Sequence, residues 1–317
     1  MAPLLIGDAL LLAPLLAKIR SRHPAATVRM TMAPAAVSLF SGRPYGVEAG
    51  GYNPRDARTV RELARWPAPD LAFVAGDNRF SWLAAALGAR WIVAFDGDRP
   101  AYKSWPVDEL VPFPKAPAAW HDIAAQLVDG PPPAAYGGEW GEVPSAPFEQ
   151  PAGRYAVLHV EASSPAKHWE EAKWAELAAL LQGERVLPVW SAGPKGMDLI
   201  RRIDPQGRFP APGPSLDLAQ LWNLIAGARL LVCPATGASH MGKLAGTPTV
   251  TLYAPGAAPL FGRGAFWRDA PFRELTDAAL PPRTPSLFKR PVKIDPARAS
   301  PLGAGDVMGS ARPLLDD

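Results

Sequence analysis

The chain has 317 residues, 48% hydrophobic and 20% charged, with a formal net charge of +3. That balance belongs to a soluble globular protein long enough for two domains of about 150 residues, and the scattered positive charge falls short of a nucleic-acid footprint. An anionic small ligand or acceptor fits better, and the single cysteine, Cys233, excludes an intrachain disulfide or a cysteine-based metal site and suits a reducing compartment.

The first twenty residues, MAPLLIGDALLLAPLLAKIR, look superficially like an export signal. No basic region precedes the apolar run, however, Asp8 interrupts it, and Lys18, Arg20 and Arg22 follow it. An aspartate near the centre of a spanning helix costs about 2.5–3.5 kcal/mol. The expectation is therefore a cytoplasmic chain without export signal or span, with peripheral contact at the inner membrane face left open.

In chain order, residues 3–6 read as the end of a buried strand, Gly7-Asp8 as a turn, and 9–22 as a helix with Leu11, Leu12, Leu15 and Ile19 on its apolar face. Pro14 kinks that helix or delays its start. Residues 26–32 read as a strand, 34–40 and 59–65 as helices, 70–75 as a strand, 81–87 as a helix, 91–95 as a strand and 120–127 as a helix. The stretch 130–152 is rich in Pro, Gly and Ala and lacks periodicity, so it reads as a linker. A second series follows: strands at 155–160, 185–190, 229–233 and 249–253, and helices at 170–181, 197–203, 216–225 and 237–244. A last helix is expected near 306–315, in a Pro-rich tail.

Strands alternating with helices imply parallel sheets covered on both faces. The expected organisation is an N-terminal doubly wound domain over 1–135, a linker over 136–153, a C-terminal doubly wound domain over 154–275 and the tail over 276–317. Ligand would sit at the C-terminal strand ends, in a cleft faced by both domains.

Residues 228–254 are the most informative stretch. Strand 229–233 leads through Thr236-Gly237 into a helix carrying Ser239 and His240, then a Gly246-Thr247-Pro248 turn and another strand. A helix N-terminus offers unpaired N–H groups and a positive dipole end to an anion, most often phosphate, and the Thr and Ser hydroxyls could add donors. Ser163, Ser164, Lys167 and His168 follow strand 155–160 and offer hydroxyls and an ammonium, although a solvated turn reads equally well. Asp8 suits either a general base or an ordinary helix N-cap. His159, inside an apolar strand, reads as a core histidine. Trp190 ends a strand where it could stack on a base. Arg79, Arg99 and Lys103 lie in N-terminal loops that could meet an acidic sugar. No dinucleotide fingerprint, Walker loop or metal-ligand spacing is present, so no metal or cofactor is expected.

Three segments together resemble glycosyltransferase family 9, the ADP-heptose:lipopolysaccharide heptosyltransferases: IGDALLLAPLLAKIRSRHP at 6–24, LHVEASSPAKHWEEAKWAELAALL at 158–181, and LAQLWNLIAGARLLVCPATGASHMGKLAGTPTVTLYAPGAAP at 218–259. The resemblance implies a GT-B-like α/β fold of two Rossmann-type doubly wound domains. It also implies inverting, metal-independent transfer of a heptose from ADP to a lipopolysaccharide inner-core acceptor. It assigns Asp8 as base, and Ser163, Ser164, Lys167, Thr236, Gly237, Ala238 and His240 to the donor diphosphate. Asp198 is placed near the ribose-contacting acid. Three features depart from the family pattern. Ala235 stands where the family has aspartate facing the donor sugar, only five residues precede Ile6, and Lys243 replaces a small residue and could restore charge near the phosphates. Alternatives are a nucleotide-sugar binder without transfer activity and an enzyme using a UDP-sugar.

Overall fold

The computed structural model of the chain describes residues 4–116, 118–162, 164, 167–253, 258–276 and 301–316. Every strand pairing among them is parallel. The chain divides into two units. The first extends to Ala135 and takes in Gly264–Phe266, and the second begins at Tyr136 and carries the remaining described residues.

The first unit opens with helix α1 (Ile6–Leu10), where a strand end was expected. Leu4 makes a single parallel bridge to Met32, while Ala9 N already donates to Leu5 O (2.9 Å) and Leu11 N to Gly7 O (3.0 Å), which is helical bonding. Pro14 has no N–H to continue that ladder, so the expected single helix is two, and Pro14 lies in the first turn of α2 (Ala13–Arg22). Strand β1 (Val28–Met32) pairs with β2 (Val47–Gly51), a 3-10 turn at Pro34–Phe40 between them. Helix α3 (Ala57–Leu63) is capped by the Asp56 carboxylate. Strands β3 (Ala72–Val74), β4 (Ile92–Phe95) and β5 (Glu109–Val111) form a second sheet in that order, with α4 (Ser81–Ala86) between the first two and α5 (Trp120–Ala124) following. A cavity of about 790 Å³ is lined mainly by residues of α2, β1 and β3 and by the segments entering both strands.

Between residues 128 and 154 there is no helix or strand, as the composition led one to expect. The second unit then builds one five-stranded sheet. Its elements are β6 (Tyr155–His159), α6 (Glu171–Gly183), β7 (Leu187–Ser191), α7 (Met197–Ile203), α8 (Leu218–Ala226), β8 (Leu230–Pro234), α9 (Gly237–Ala245), β9 (Thr249–Tyr253), α10 (Ala258–Phe261), β10 (Phe272–Thr276) and α11 (Ala304–Asp316). The strand order is β10-β9-β8-β6-β7. Strands β6, β8 and β9 are buried along their whole length, which is why their sequences are nearly continuous apolar runs.

Leu158, Trp174, Leu177 and Val232 share a core with Val307, Met308, Ala311 and Leu314 of α11, so the last helix packs into this unit. Each such side chain contributes roughly 1.5–3 kcal/mol by burial. Among the described residues no helix is long and apolar enough to cross a membrane.

Helix α9 lies very close to the sheet. A Cβ on Gly242 would meet Thr249 Oγ1 and come within 2.8 Å of Leu231 Cδ2. Gly246, at φ 72°, ends the helix in the left-handed conformation glycine permits and releases the chain into β9. We expect Gly242→Ala to lower unfolding stability by roughly 1–3 kcal/mol through overpacking. Urea denaturation checks this, and an unchanged midpoint would show that α9 has room to shift.

Candidate functional site

The order of the second sheet fixes where its loops converge. From β6 the chain passes to β7 on one side, then returns to β8 on the other side of β6. The gap between the C-terminal ends of β6 and β8 is thus the topological switch point, where ligands of open α/β sheets bind. The two segments that leave those ends are Val160–Lys167 and Ala235–Thr236, both singled out from sequence.

Lys167 Nζ spans them, donating to Ala235 O at 3.2 Å. Its own N–H donates to Ser164 O at 2.9 Å, which winds the residue back toward β8. Ser164 is half-buried in this loop, and Ser163 lies outside the described residues. His168 is exposed, its Nε2 3.0 Å from Ala162 O. Next to it Trp169 anchors the loop: its indole N–H donates to Leu302 O at 3.0 Å and its ring stands edge-on to Trp174 at 4.9 Å.

Thr236 is the N-cap of α9 in extended conformation, but its side chain makes no cap bond. Its buried Oγ1 has no hydrogen-bond partner among the described residues. A buried hydroxyl without a partner is uncommon and leaves a donor for a ligand atom. Gly237 and Ala238 begin the helix, where N–H groups have no intrahelical acceptor. His240 follows in the first turn and is 5% exposed. Ser239 corrects the sequence reading: it is fully buried and its Oγ donates to Thr236 O at 2.7 Å, so its hydroxyl serves the helix start instead of a ligand.

One nucleoside-side expectation is also corrected. Trp190 has no exposure, its indole N–H donates to Asp204 Oδ2 at 3.0 Å, and its ring packs edge-on to Phe209. Its face therefore belongs to the core and is not offered for stacking. Asp198 lies on the outer surface of α7, paired with Arg201 at 3.0 Å with a side chain 79% exposed. The carboxylate that does reach the loops is Glu161, which the sequence reading passed over. Its Oε2 accepts the Gly193 N–H at 2.7 Å, linking the loops after β6 and β7, and a Cβ on Gly193 would come within 3.0 Å of that oxygen. The signal was an acidic residue two positions beyond the buried run of β6.

His159 is a core histidine, as read: its Nδ1 lies 3.0 Å from Ser191 Oγ, and burial pushes its pKa down to about 4, so it is neutral. Lys243, expected near the phosphates, is 1% exposed and turns elsewhere, donating to Phe261 O at 3.0 Å.

In the first unit, Asp8 lies half-buried in the first turn of α1, whose N-cap is Leu5, so the capping alternative falls. The loops after β3 and β4 form one polar network. Asn78 is fully buried; its N–H donates to Asp98 Oδ2 (2.9 Å) and its Nδ2 to Phe95 O (2.8 Å) and Ser104 Oγ (2.9 Å). Lys103 pairs with Asp98 (3.0 Å) and Asp77 (3.3 Å), and Arg79 with Asp77 (2.6 Å). Burial alone would raise the Asp77 carboxyl and lower the Lys103 ammonium, but these hydrogen bonds outweigh it, holding Asp77 below and Lys103 above their ordinary ranges. Arg99 joins through its backbone N–H to Asp98 Oδ1 (2.7 Å). The structure thus brings Arg79, Arg99 and Lys103 together, with two carboxylates offsetting their charge. Among the described residues no group of three or more His, Cys, Asp or Glu is placed to hold a metal.

A parallel sheet whose switch point carries an ammonium and a helix N-terminus defines an α/β protein with a site suited to a phosphorylated ligand. The chain belongs to glycosyltransferase family 9 (heptosyltransferase), whose model matches residues 74–263, more than half of its length. It is 31% identical over 130 residues to lipopolysaccharide heptosyltransferase 1 of Escherichia coli O18:K1:H7, a match covering 39% of this chain and 40% of that protein. The Pseudomonas aeruginosa heptosyltransferase 1 is 28% identical over 149 residues, covering 44% of this chain and 42% of that protein. The matched stretch is thus about two fifths of these relatives' length.

Solved structures extend the likeness in fold. The family 9 glycosyl transferase from Veillonella parvula superposes with a TM-score of 0.77 at 15% identity, covering 99% of this chain and 95% of that one. E. coli heptosyltransferase WaaC with ADP gives 0.69 at 19%, covering 86% and 90%. The fold class is α/β of the GT-B type.

Lys243 makes the second unit's stability depend on pH. Burial pushes its pKa down to about 7. Between that value and its ordinary one the unfolded chain holds a proton that the folded chain has released, so raising the pH favours folding. Tyr253 and Cys233 beside it are pushed up, so they oppose this only above their ordinary ranges. Stability of the wild type should therefore rise from about pH 7 to about pH 8.5 more steeply than that of Lys243→Met. Chemical denaturation at each pH reads both slopes, and equal slopes would contradict the assignment.

Proposed function

We propose that this chain is an inverting, metal-independent glycosyltransferase. It moves a heptose or related sugar from an ADP-activated donor to a lipopolysaccharide inner-core or similar glycan acceptor. The observation that carries the reading is the Lys167–Ala235 bridge between the two switch-point loops, beside the first turn of α9 and the Thr236 hydroxyl, which has no hydrogen-bond partner among the described residues. Lys167, Thr236 and the N–H groups of Gly237 and Ala238, with Ser163, Ser164 and His240, are assigned to the donor diphosphate. As the glycosidic bond to ADP breaks, negative charge grows on the leaving phosphate, and a fixed ammonium and helix terminus stabilise that charge without reorganising. Asp8 takes the proton of the attacking acceptor hydroxyl.

Family membership and the name of the relatives, lipopolysaccharide heptosyltransferase 1, support the reaction class and acceptor. The structures of E. coli heptosyltransferase WaaC with ADP and of heptosyltransferase TibC in complex with ADP-D-beta-D-heptose support the donor. On this reading residues 1–135 serve the acceptor, with Arg79, Arg99 and Lys103 on that side. Residues 136–153 link the halves, and 154–275 serve the donor, followed by the tail over 276–317. No cofactor is required, and the work is done in the cytoplasm, at the inner membrane face where a lipid-anchored acceptor is met. Ala235 favours one second reading, a nucleotide-sugar binder or a user of another donor such as a UDP-sugar, because it offers no carboxylate to the donor sugar.

Lys167→Ala should weaken ADP binding by about ten- to a hundredfold, the worth of a hydrogen bond to a charged group. Asp8→Asn should leave ADP affinity unchanged and lower transfer by about a hundredfold or more. Calorimetry with ADP and UDP, together with a transfer assay, checks both. Binding of UDP alone would overturn the donor, and equal product from Asp8→Asn would remove Asp8 as base.

A further inference from the structure

Lys243 presents a cost that the proposed reaction does not explain. It lies in the last turn of α9 with 1% exposure, and among the described residues no carboxylate is within ion-pair distance. Its ammonium instead donates to Phe261 O (3.0 Å), Gly262 O (3.4 Å) and Tyr253 Oη (3.4 Å), and stands 4.3 Å over the Phe272 ring. Tyr253 Oη itself donates to Phe261 O at 3.0 Å. Glu274 on β10 is the nearby acid, and it accepts the Arg263 N–H. Cys233 on β8 completes the surroundings as a buried thiol.

Burying an ammonium against carbonyls and a ring is expensive, and a methionine would fill similar space at less cost. What the ammonium holds is therefore informative. Phe261 and Gly262 belong to the chain that has left the C-terminal end of β9. The tie is made from the last turn of α9, over Phe272 at the start of β10, so it holds the helix from the end opposite the first turn beside Thr236.

We propose that Lys243 is a positioning residue for the donor site, tying α9 to the Phe261–Gly262 turn and so fixing the helix whose first turn receives the diphosphate. The proposal rests on the donor-site reading. Two consecutive carbonyls are held best by a charged ammonium. Burial brings its titration close to neutrality, at about 7, so the tie loosens as pH rises through that range.

The test is ADP affinity of the wild type and Lys243→Met by calorimetry, at about pH 6 and about pH 8.5, on either side of that titration. The ratio of the two affinities cancels the ionisation of ADP. The wild type should bind about tenfold more tightly at the lower pH, with the advantage shrinking to about threefold or less at the higher. If Lys243→Met does not fold, Tyr253→Phe, which removes the hydroxyl sharing the Phe261 carbonyl, should weaken ADP in the same direction. A changed melting temperature with an affinity ratio of one at both pH values would make Lys243 structural only and overturn the proposal. A wild type that binds no ADP at either pH would overturn the donor reading and this inference with it.

Discussion

The hydrogen bond from Lys167 Nζ to the Ala235 carbonyl joins two loops that are 68 residues apart in sequence, and it does so at the place where the strand order reverses. Everything proposed for the donor site follows from that geometry. Because β6 lies between β7 and β8, the loops leaving β6 and β8 flank one gap. An ammonium from one loop and a helix N-terminus from the other then converge there, and both favour negative charge. The core behind them keeps the arrangement fixed. Trp169 anchors one loop through Leu302 O, and α9 is pressed onto the sheet at Gly242.

The two units handle charge in different ways. In the first, Arg79 and Lys103 are met by Asp77 and Asp98 around the fully buried Asn78, so the basic residues are held and offset. In the second, Lys167 reaches the backbone carbonyl of Ala235, and Lys243 those of Phe261 and Gly262.

Much of this was legible in the residues because long buried strands and amphipathic helices leave strong patterns. Strand β9 and helix α7 occupy the residues expected of them, and the apolar runs of β6 and β8 placed the two key loops. Strands β2, β5 and β10 were illegible. VEAGG carries two glycines, ELV is three residues long, and FRELT is polar, so each is a strand only because a neighbour pairs with it. Side-chain direction was equally hidden. Nothing local shows that Trp190 points into the core or that Glu161 crosses to Gly193. Those facts depend on strands far away in sequence. The chemistry of Lys167 and Thr236-Gly237 was readable, but their meeting was not, because strand order is a tertiary property.

The most direct test is a crystal structure of the full chain with ADP. The account predicts both phosphates at the switch point, accepting from the N–H groups of Gly237 and Ala238 and from the Thr236 hydroxyl, with Lys167 Nζ within hydrogen-bond distance of a phosphate oxygen. ADP bound elsewhere, or bound there with Lys167 directed away from the phosphates, would contradict it.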